Sequence, residues 1–279
     1  MKLSVIIVNY NTCDMLRIAL NSVIRAAVGI NFEVFVVDNA SADKSVEMLR
    51  AEFPEVKVIA NTQNSGMAKA YNQGIKETTG EYVLVVTADT ITGKKTIEKA
   101  LEFMDVHLNA GGMGVRMITP DGRFLSESKH GFTRPWEVFF KLTGLAKHFS
   151  KSRLTDTTQR KDWVEEFQTS ETDVLNSAFM LMRKETINQI GLFDERFHTY
   201  GYDIDLSYRI RLAGFKNYYF PKTYIINFNS GNNAKLSWHY LKEFYGAMII
   251  FAIKYLFKVP EINKVEGMPQ LFPSTYEIE

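Results

Sequence analysis

The stretch Glu81–Asp89, EYVLVVTAD, decides the fold. The uninterrupted apolar run Tyr82–Val86 predicts a strand that is buried on both faces, as in parallel sheets covered by helices. A small polar step, Thr87-Ala88, then leads to the carboxylate of Asp89. Because ligands bind beyond the carboxyl ends of the strands in open parallel sheets, Asp89 is predicted to face a ligand or its metal ion. The alternative is that Asp89 only begins a turn, a position that aspartate favours.

The preceding residues repeat this pattern of strand, polar turn and helix. Apolar segments at 3–8, 32–37 and 56–60 predict three more strands, and each is followed by a segment with helical periodicity. Alternating strands and helices indicate βαβ units. We therefore predict an α/β fold with a mostly parallel central sheet flanked by helices.

A mostly polar turn follows every one of these strands. The turns contain Asn9, Tyr10 and Asn11, then Asp38 and Asn39, then Asn64 and Gly66, and finally Ala88 and Asp89. In a parallel sheet all of these turns meet at one edge, where carboxylates can bind a base or ribose and helix N-termini can bind phosphate. Each turn alone is explained by the turn preference of Asn and Asp, but the succession favours a nucleotide site. The P-loop and G-x-G-x-x-G patterns are absent, so neither an ordinary NTPase nor a dinucleotide dehydrogenase is supported.

The composition limits the classes of protein to which the chain can belong. The 279 residues suit one large domain with a small appendage, and 33 basic against 32 acidic residues give no reason to expect a nucleic-acid partner. Cys13 is the single cysteine, so no intramolecular disulfide forms and a reducing compartment is expected. The N-terminus lacks the pattern of a signal peptide, and no segment is apolar for long enough to predict a membrane-spanning helix.

Three blocks of the first half resemble the family 2 glycosyltransferases, in particular the rhamnosyltransferase-like members. These blocks are Ser4–Thr12, Val37–Asp43 and Asn64–Gly74. The resemblance implies the GT-A (nucleotide-diphospho-sugar transferase) fold, with a nucleotide-binding half at 1–110, an acceptor half at 111–235 and a C-terminal helix and tail at 236–279. It also implies roles in binding the nucleotide sugar for Asn9, Tyr10, Asn11, Asp38, Asn39, Asn64, Gly66, Asn72, Ala88 and Asp89.

The resemblance places Thr87-Ala88-Asp89 at the Asp-x-Asp metal motif of the family, which binds Mg²⁺ or Mn²⁺. Here Thr87 stands in place of the first Asp. Asp89 alone can still hold a magnesium ion, because this ion keeps several waters and takes further ligands from substrate phosphates. Asn227 stands where the family has a metal-binding His, so metal-independent activity remains open as an alternative.

A second motif, Tyr202–Leu206, resembles the Glu-Asp-x-Asp-Leu block that carries the general base of the family. The resemblance implies that Asp203 is this base, although an aspartate at a helix start also serves as an N-cap. Asp205 is predicted to pair with Arg209, four residues later on the same helix face. Tyr202 replaces the Glu of the block. Farther upstream, Val174 and Ser177 replace an aromatic residue and a Gly of the family pattern.

These features predict an inverting glycosyltransferase that moves a sugar from a UDP- or dTDP-sugar to a glycan or lipid-linked saccharide acceptor, in cell-surface polysaccharide synthesis. The alternative is a catalytically impaired glycosyltransferase-like nucleotide-binding or scaffold protein, as the altered positions Thr87, Tyr202 and Asn227 suggest. A nucleotidyltransferase is less favoured, because the Gly-rich basic loop of that class is missing after the first strand. We expect a cytoplasmic protein. Its apolar helix at 236–258 has three candidate partners: its own domain, a second subunit in a homodimer, or the inner face of the plasma membrane as a peripheral contact.

Overall fold

A computed structural model describes residues 1–130, 134–144, 166–228 and 238–256. The predicted domain boundary at residue 235 and the tail after 256 lie outside the described residues.

A nine-stranded sheet forms the centre of the described structure. Its strands are β1 (Leu3–Asn9), β2 (Phe32–Asp38), β3 (Lys57–Ala60), β4 (Tyr82–Thr87), β5 (Thr90–Thr92), β6 (Ala110–Ile118), β7 (Ser170–Thr172), β8 (Phe179–Arg183) and β9 (Lys216–Asn227). The strands follow the order β3-β2-β1-β4-β8-β6-β9-β5, and β7 pairs with β9.

The first four strands are mutually parallel, as predicted, so their carboxyl ends meet at one edge. The second half of the sheet is mixed. β8 runs antiparallel between β4 and β6, whereas β6 and β9 are parallel to each other. Since β6 therefore points the same way as β4, the second half continues the sheet without moving the shared edge.

The helices are α1 (Cys13–Ala26), α2 (Ser45–Glu52), α3 (Met67–Glu77), α4 (Thr96–Val106), α5 (Glu127–His130), α6 (Arg134–Leu142), α7 (Lys184–Ile190), α8 (Tyr202–Leu212) and α9 (Trp238–Leu256). Alternate residues of the strands enter two different cores. In β1, Leu3, Val5 and Ile7 pack in the core that holds α1, α2 and α4, whereas Ile6 and Val8 pack in the core that holds α3, α8 and α9. Helices therefore cover both faces of the sheet around β1, β2 and β4, which is why these three strands are buried along almost their whole length.

Some predicted bounds differ from the structure. The segments 217–220 and 224–226, predicted as two strands, are one strand, β9, with an irregularity opposite Val115 and Arg116. The segment 173–183 was predicted as two strand-like pieces that meet at Asn176-Ser177, and only the second forms a strand, β8. The short strands β5 and β7 were not predicted, because three residues carry too little periodicity.

Helix α9 packs on its own domain. Phe244, Met248, Phe251 and Tyr255 are buried, whereas Tyr245, Ile249 and Ile253 on its other side are each more than half exposed. Within the described ranges, none of the helices combines the length and the apolar character that crossing a bilayer requires.

Candidate active site

The carboxyl ends of β1 and β2 meet in a buried hydrogen-bonded pair, Asn9 and Asp38. Asn9 Nδ2 donates to Asp38 Oδ1 over 2.8 Å. Ser41 completes the group, because its backbone N–H and its hydroxyl donate to the two oxygens of Asp38, at 2.9 and 2.6 Å. Thr12 Oγ1 donates to Asn9 Oδ1 over 2.7 Å. Because Asn9 is 0% and Asp38 1% exposed, this pair lies beneath the surface and supports the turns at this edge of the sheet.

The two turns above this pair hold unusual backbone conformations. Asn11 and Ala40 have φ angles of 54° and 64°, in the left-handed region. Such a conformation is costly for alanine, and strain of this kind concentrates at functional sites. Asn11 ties the turns together, since its N–H donates to Ser41 Oγ and its Oδ1 accepts the N–H of Ala42. The ring of Tyr10, 50% exposed, lies at the surface of the same turn, where it is free to stack on a base.

Asn39 joins the end of β2 to the segment before α3. Its Nδ2 donates to Asn64 Oδ1 and to the carbonyl of Gly66, and its Oδ1 accepts hydrogen bonds from Asn61 and Ser65. Asn39 is 2% exposed, so its amide is a buried cross-link. The polar network is the name used below for Asn9, Asp38, Asn39, Ser41 and Asn64.

Gly66 and Asn72 connect this network to the segment 193–198, which precedes α8. Gly66 has a φ of 83°, and a Cβ at this position would lie 2.5 Å from His198 Nδ1, so only glycine fits. Asn72 Nδ2 donates to the carbonyl of Phe193 and to Glu195 Oε1, and its Oδ1 accepts the N–H of Phe193. Asn72 therefore holds the segment around Phe193 against α3, and its amide group is fully engaged in doing so.

Asp89 lies half-buried beyond the end of β4, two residues past Thr87. The two altered metal positions of the sequence lie beside it and are linked through Thr90. Asn227 Nδ2 donates to Thr90 Oγ1 over 3.2 Å and makes a long bond of 3.5 Å to Asp89 Oδ1, and the hydroxyls of Thr87 and Thr90 are 2.9 Å apart. The Asn227 amide thus joins the carboxylate to a pair of hydroxyls.

The fit of a divalent metal ion depends on this donor set. Among the described residues, no group of three or more His, Cys, Asp or Glu side chains could hold a metal. Asp89 supplies a single carboxylate, and within the described ranges its one side-chain hydrogen bond is the long bond to Asn227. One carboxylate fits Mg²⁺ or Mn²⁺ when the diphosphate of a donor completes the shell, since such ions keep waters and bind substrate phosphates.

Asp203 is the second residue of α8, whose N-cap is Gly201 in the left-handed region at a φ of 83°. The interpretation of Asp203 as a simple N-cap is therefore wrong. The Asp203 carboxylate accepts the N–H of Ile204 over 2.9 Å. Burial raises the pKa of this half-buried carboxyl to about 6, although backbone N–H groups, including that of Ser177, pull the pKa down. A carboxyl that titrates near neutral pH suits a general base.

Two phenols connect the carboxylates. The ring of Tyr71 lies 5.9 Å from that of Tyr202, and Tyr202 Oη is 2.9 Å from Ser177 Oγ. Burial is the main cause that raises the pKa values of both phenols, and the negative charges of Asp89 and Asp203 add to it. Asp89 and Asp203 therefore lie around one pair of buried rings. The carboxylate cluster is the name used below for Asp89, Asp203, Tyr71 and Tyr202.

Asp205 pairs with Arg209 as predicted, over 2.9 Å. The fully buried Asp205 carboxylate has two further partners, because Lys254 Nζ and Tyr255 Oη of α9 donate to it over 2.6 and 2.7 Å. Lys254 also binds Asp194 over 2.8 Å. These bonds hold α9 against the helix that carries Asp203.

The structure thus brings Asp38, Asp89 and Asp203 to one edge of the sheet. Of the residues expected to bind the nucleotide sugar, Tyr10 and Asn11 are exposed, whereas Asn9, Asn39 and Asn72 are buried supports. Sequence reasoning considered Thr12 only as one of two candidate N-caps of the first helix, and it gave no role to Ser41 or Tyr71. All three lie inside or beside the blocks that carry the family resemblance, and their hydroxyl groups were the signal that could have identified them.

Comparisons with known proteins find glycosyltransferases among the relatives of this chain. Over 208 residues the chain is 26% identical to the poly(ribitol-phosphate) beta-N-acetylglucosaminyltransferase TarS of Staphylococcus aureus, which covers 72% of this chain and 35% of TarS. Over 212 residues it is 23% identical to the N-acetylglucosaminyl-diphospho-decaprenol L-rhamnosyltransferase of Mycobacterium tuberculosis, covering 70% of this chain and 66% of that protein. The chain therefore spans about a third of the first relative and about two thirds of the second.

Solved structures share the fold. The crystal structure of TarS residues 1–349 with UDP-GlcNAc matches with a TM-score of 0.61 at 23% identity, over 94% of this chain and 68% of that one. The mannosyltransferase PcManGT from Pyrobaculum calidifontis, in complex with GDP-Man and Mn²⁺, matches with a TM-score of 0.57 at 17% identity, over 83% of this chain and 58% of that one. The expected GT-A fold is thereby confirmed. Because the sequence profile described as glycosyl transferase family 2 matches residues 4–168, more than half of the 279 residues, the chain belongs to this family.

Proposed function

We propose that this protein is an inverting glycosyltransferase that moves a sugar from a UDP- or dTDP-sugar to a glycan or lipid-linked saccharide acceptor, in cell-surface polysaccharide synthesis. The observation that carries the proposal is Asp203, a carboxyl with its pKa raised to about 6, at the sheet edge that also holds Asp38 and Asp89. The names of the relatives support a saccharide acceptor, and the TarS complexes with UDP and UDP-GlcNAc support a uridine nucleotide.

In the proposed complex the base lies between Tyr10 and the turn after Asp38, and the polar network keeps that turn rigid. Asn11, Asn64 and Gly66 shape the walls beside the ribose and the diphosphate. Asp89, with the diphosphate oxygens, would hold Mg²⁺ or Mn²⁺, and a bound ion would neutralise charge on the leaving diphosphate.

Asp203 is proposed to act as the general base. The acceptor hydroxyl oxygen attacks the anomeric carbon while the bond from that carbon to the diphosphate oxygen breaks, and the hydroxyl proton passes to the Asp203 carboxylate. Because the nucleophile enters opposite the leaving diphosphate, the configuration at the anomeric carbon inverts. The raised pKa serves this step, since the carboxylate is then a stronger base than an ordinary aspartate.

The test is a panel of UDP- and dTDP-sugars, screened first by thermal shift and then for nucleotide release and product formation, with and without Mn²⁺. The wild-type protein is expected to turn over at least one donor, and Asp203→Asn is expected to bind the same nucleotide but not transfer. A wild-type protein that binds a nucleotide and transfers nothing would instead support the impaired, scaffold-like alternative.

We further propose a peripheral membrane contact at the cytoplasmic face. Ile249 and Ile253 of α9 and Leu142 of α6 are 59%, 55% and 82% exposed, and the exposed Lys141 and Lys242 lie on the same two helices. Apolar side chains flanked by lysines suit an anionic lipid surface. Sedimentation with phosphatidylglycerol vesicles should recover the wild-type protein but less of Ile249→Ser, whereas a concentration-dependent dimer in gel filtration without lipid binding would assign this face to a second subunit.

A further inference from the structure

The hydroxyl of Tyr71 is a buried polar group that the proposed chemistry leaves unused. Tyr71 lies in α3 and is 0% exposed, and its Oη has no hydrogen-bond partner among the described residues. Buried hydroxyls are almost always hydrogen-bonded, because burial removes the water that would otherwise bind them. An unpaired phenol within the carboxylate cluster therefore needs an explanation.

The neighbours of Tyr71 leave it only a few possible partners. Tyr202 Oη is 2.9 Å from Ser177 Oγ, and the amide of Asn72 is engaged with Phe193 and Glu195. The ring of Tyr71 is fixed between Phe193 and Tyr202, at centroid distances of 5.6 and 5.9 Å. The negative charges of Asp89 and Asp203 both act on the Tyr71 phenol, so these two carboxylates are charged acceptors in its surroundings.

Of the two carboxylates, we take Asp203 as the acceptor. It directly follows Tyr202, whose ring contacts Tyr71, whereas Asp89 bonds the amide of Asn227 and is the candidate metal ligand. An ionised carboxylate has about four acceptor sites, so Asp203 can take a further bond besides those from the backbone N–H groups around it, which include Ile204 and Ser177.

We propose that Tyr71 is a positioning residue for the general base. When substrates occupy the site, the Tyr71 hydroxyl donates a hydrogen bond to the Asp203 carboxylate and thereby orients it toward the acceptor hydroxyl. The proposal rests on the proposed function of Asp203. Hydrogen bonds of this kind are often loose in an empty site and tighten only in the substrate complex. The titratable groups around Asp203 are Tyr202 on α8, Tyr71 on α3 and Asp89 beyond β4.

The experiment compares Tyr71→Phe with Tyr82→Phe. Tyr82 is the first residue of β4, at the end of that strand away from Asp89. Its hydroxyl is bonded to Asp105 over 2.7 Å and to Arg183 over 2.9 Å. Both variants remove one oxygen atom. For Tyr71→Phe we expect kcat, with the donor that wild type uses best, to fall about tenfold or more, since a positioned base contributes at least that much. The KM for the donor and the Kd for UDP should stay within about twofold.

Two further readouts separate positioning from a purely structural role. The acid limb of the kcat profile should move to higher pH in Tyr71→Phe, because the variant lacks a bond that favours the charged form of Asp203. The Tm of Tyr71→Phe should be unchanged or higher, since the oxygen lost has no partner, whereas Tyr82→Phe should lower the Tm by about 2–4 °C at unchanged kcat.

Three outcomes would overturn the proposal. A Tm loss in Tyr71→Phe as large as that in Tyr82→Phe would show a structural partner for Oη. A tenfold higher Kd for UDP would assign the hydroxyl to binding the donor. A kcat within twofold of wild type would show that the hydroxyl does not position the base. If the wild-type protein turns over no nucleotide sugar, the proposed function fails first, before any variant is made, and this proposal fails with it.

Discussion

The polar network and the carboxylate cluster lie at the same edge of one sheet, yet they differ in how fully their polar groups are hydrogen-bonded. In the network, both carboxylate oxygens of Asp38 and both side-chain polar atoms of Asn39 are bonded to protein partners. In the cluster, Asp203 is desolvated, Asp89 has one long side-chain bond and the hydroxyl of Tyr71 has no partner in the described part of the chain. A satisfied network gives a rigid shape, whereas unsatisfied groups keep their bonding capacity for a ligand.

The largest expected effect falls on the cluster. Asp203→Asn keeps the size of the side chain but removes the base, so transfer should fall by about 10²–10⁴-fold while the Kd for the nucleotide changes little. Single-turnover kinetics and calorimetry with UDP measure the two quantities separately. An equal fold-loss in the rate of transfer and in the affinity for UDP would mean that Asp203 binds the donor and does not act as the base.

The network should respond in its stability instead. Asp38→Ala leaves the buried Asn9 amide and the partly buried Ser41 hydroxyl without this acceptor, so we expect the free energy of unfolding to fall by about 2–4 kcal/mol and the Kd for UDP to rise. Urea unfolding measures the first quantity. Asp14→Ala is the matched control, because the Asp14 side chain is 90% exposed and its loss should cost no more than about 0.5 kcal/mol.

The pH dependence of stability gives a third contrast. The pKa of Asp203 is about 6 in the folded protein against 3.8 as the ordinary value, so the folded state holds this proton more tightly than the unfolded chain does. Asp203 therefore destabilises the fold above pH 6, and this cost fades as the pH falls toward 4. Asp203→Asn should raise the free energy of unfolding by roughly 2 kcal/mol at pH 7.5 and by almost nothing at pH 4. An equal difference at both pH values would contradict the raised pKa.

Asp89 should give the smallest change in stability. Its side chain is half-buried with one long bond to Asn227, so Asp89→Asn is expected to alter the free energy of unfolding by less than about 0.5 kcal/mol. Any stimulation of transfer by Mn²⁺ should be lost in this variant. Stimulation that persists would place the metal on other groups.

The sequence predicted one half of the fold better than the other. Long apolar runs such as Tyr82–Val86 identify buried strands without any tertiary information, so β1 to β4 and their shared edge were found. The antiparallel insertion of β8 between β4 and β6 could not be read from the sequence, because a strand of five residues carries no record of partners about a hundred residues away.

Departures from the family pattern show the same limit. Ser177 and Tyr202 were each found as an isolated exception, yet their hydroxyls lie 2.9 Å apart. Thr87 and Asn227 were likewise separate exceptions, and both contact Thr90. Changes that appear independent in the sequence are therefore partners in space, and the bonds between them explain how the edge tolerates them.

The sequence by itself determined the strands, the polar turns that follow them and the candidate base, because apolar runs and motifs are local properties of the chain. Only the tertiary structure decided which of the polar groups are bonded within the protein and which are left without a partner among the described residues. That distinction depends on burial and on partners that are distant in the sequence, as the fully bonded Asp38 and the unpaired hydroxyl of Tyr71 illustrate.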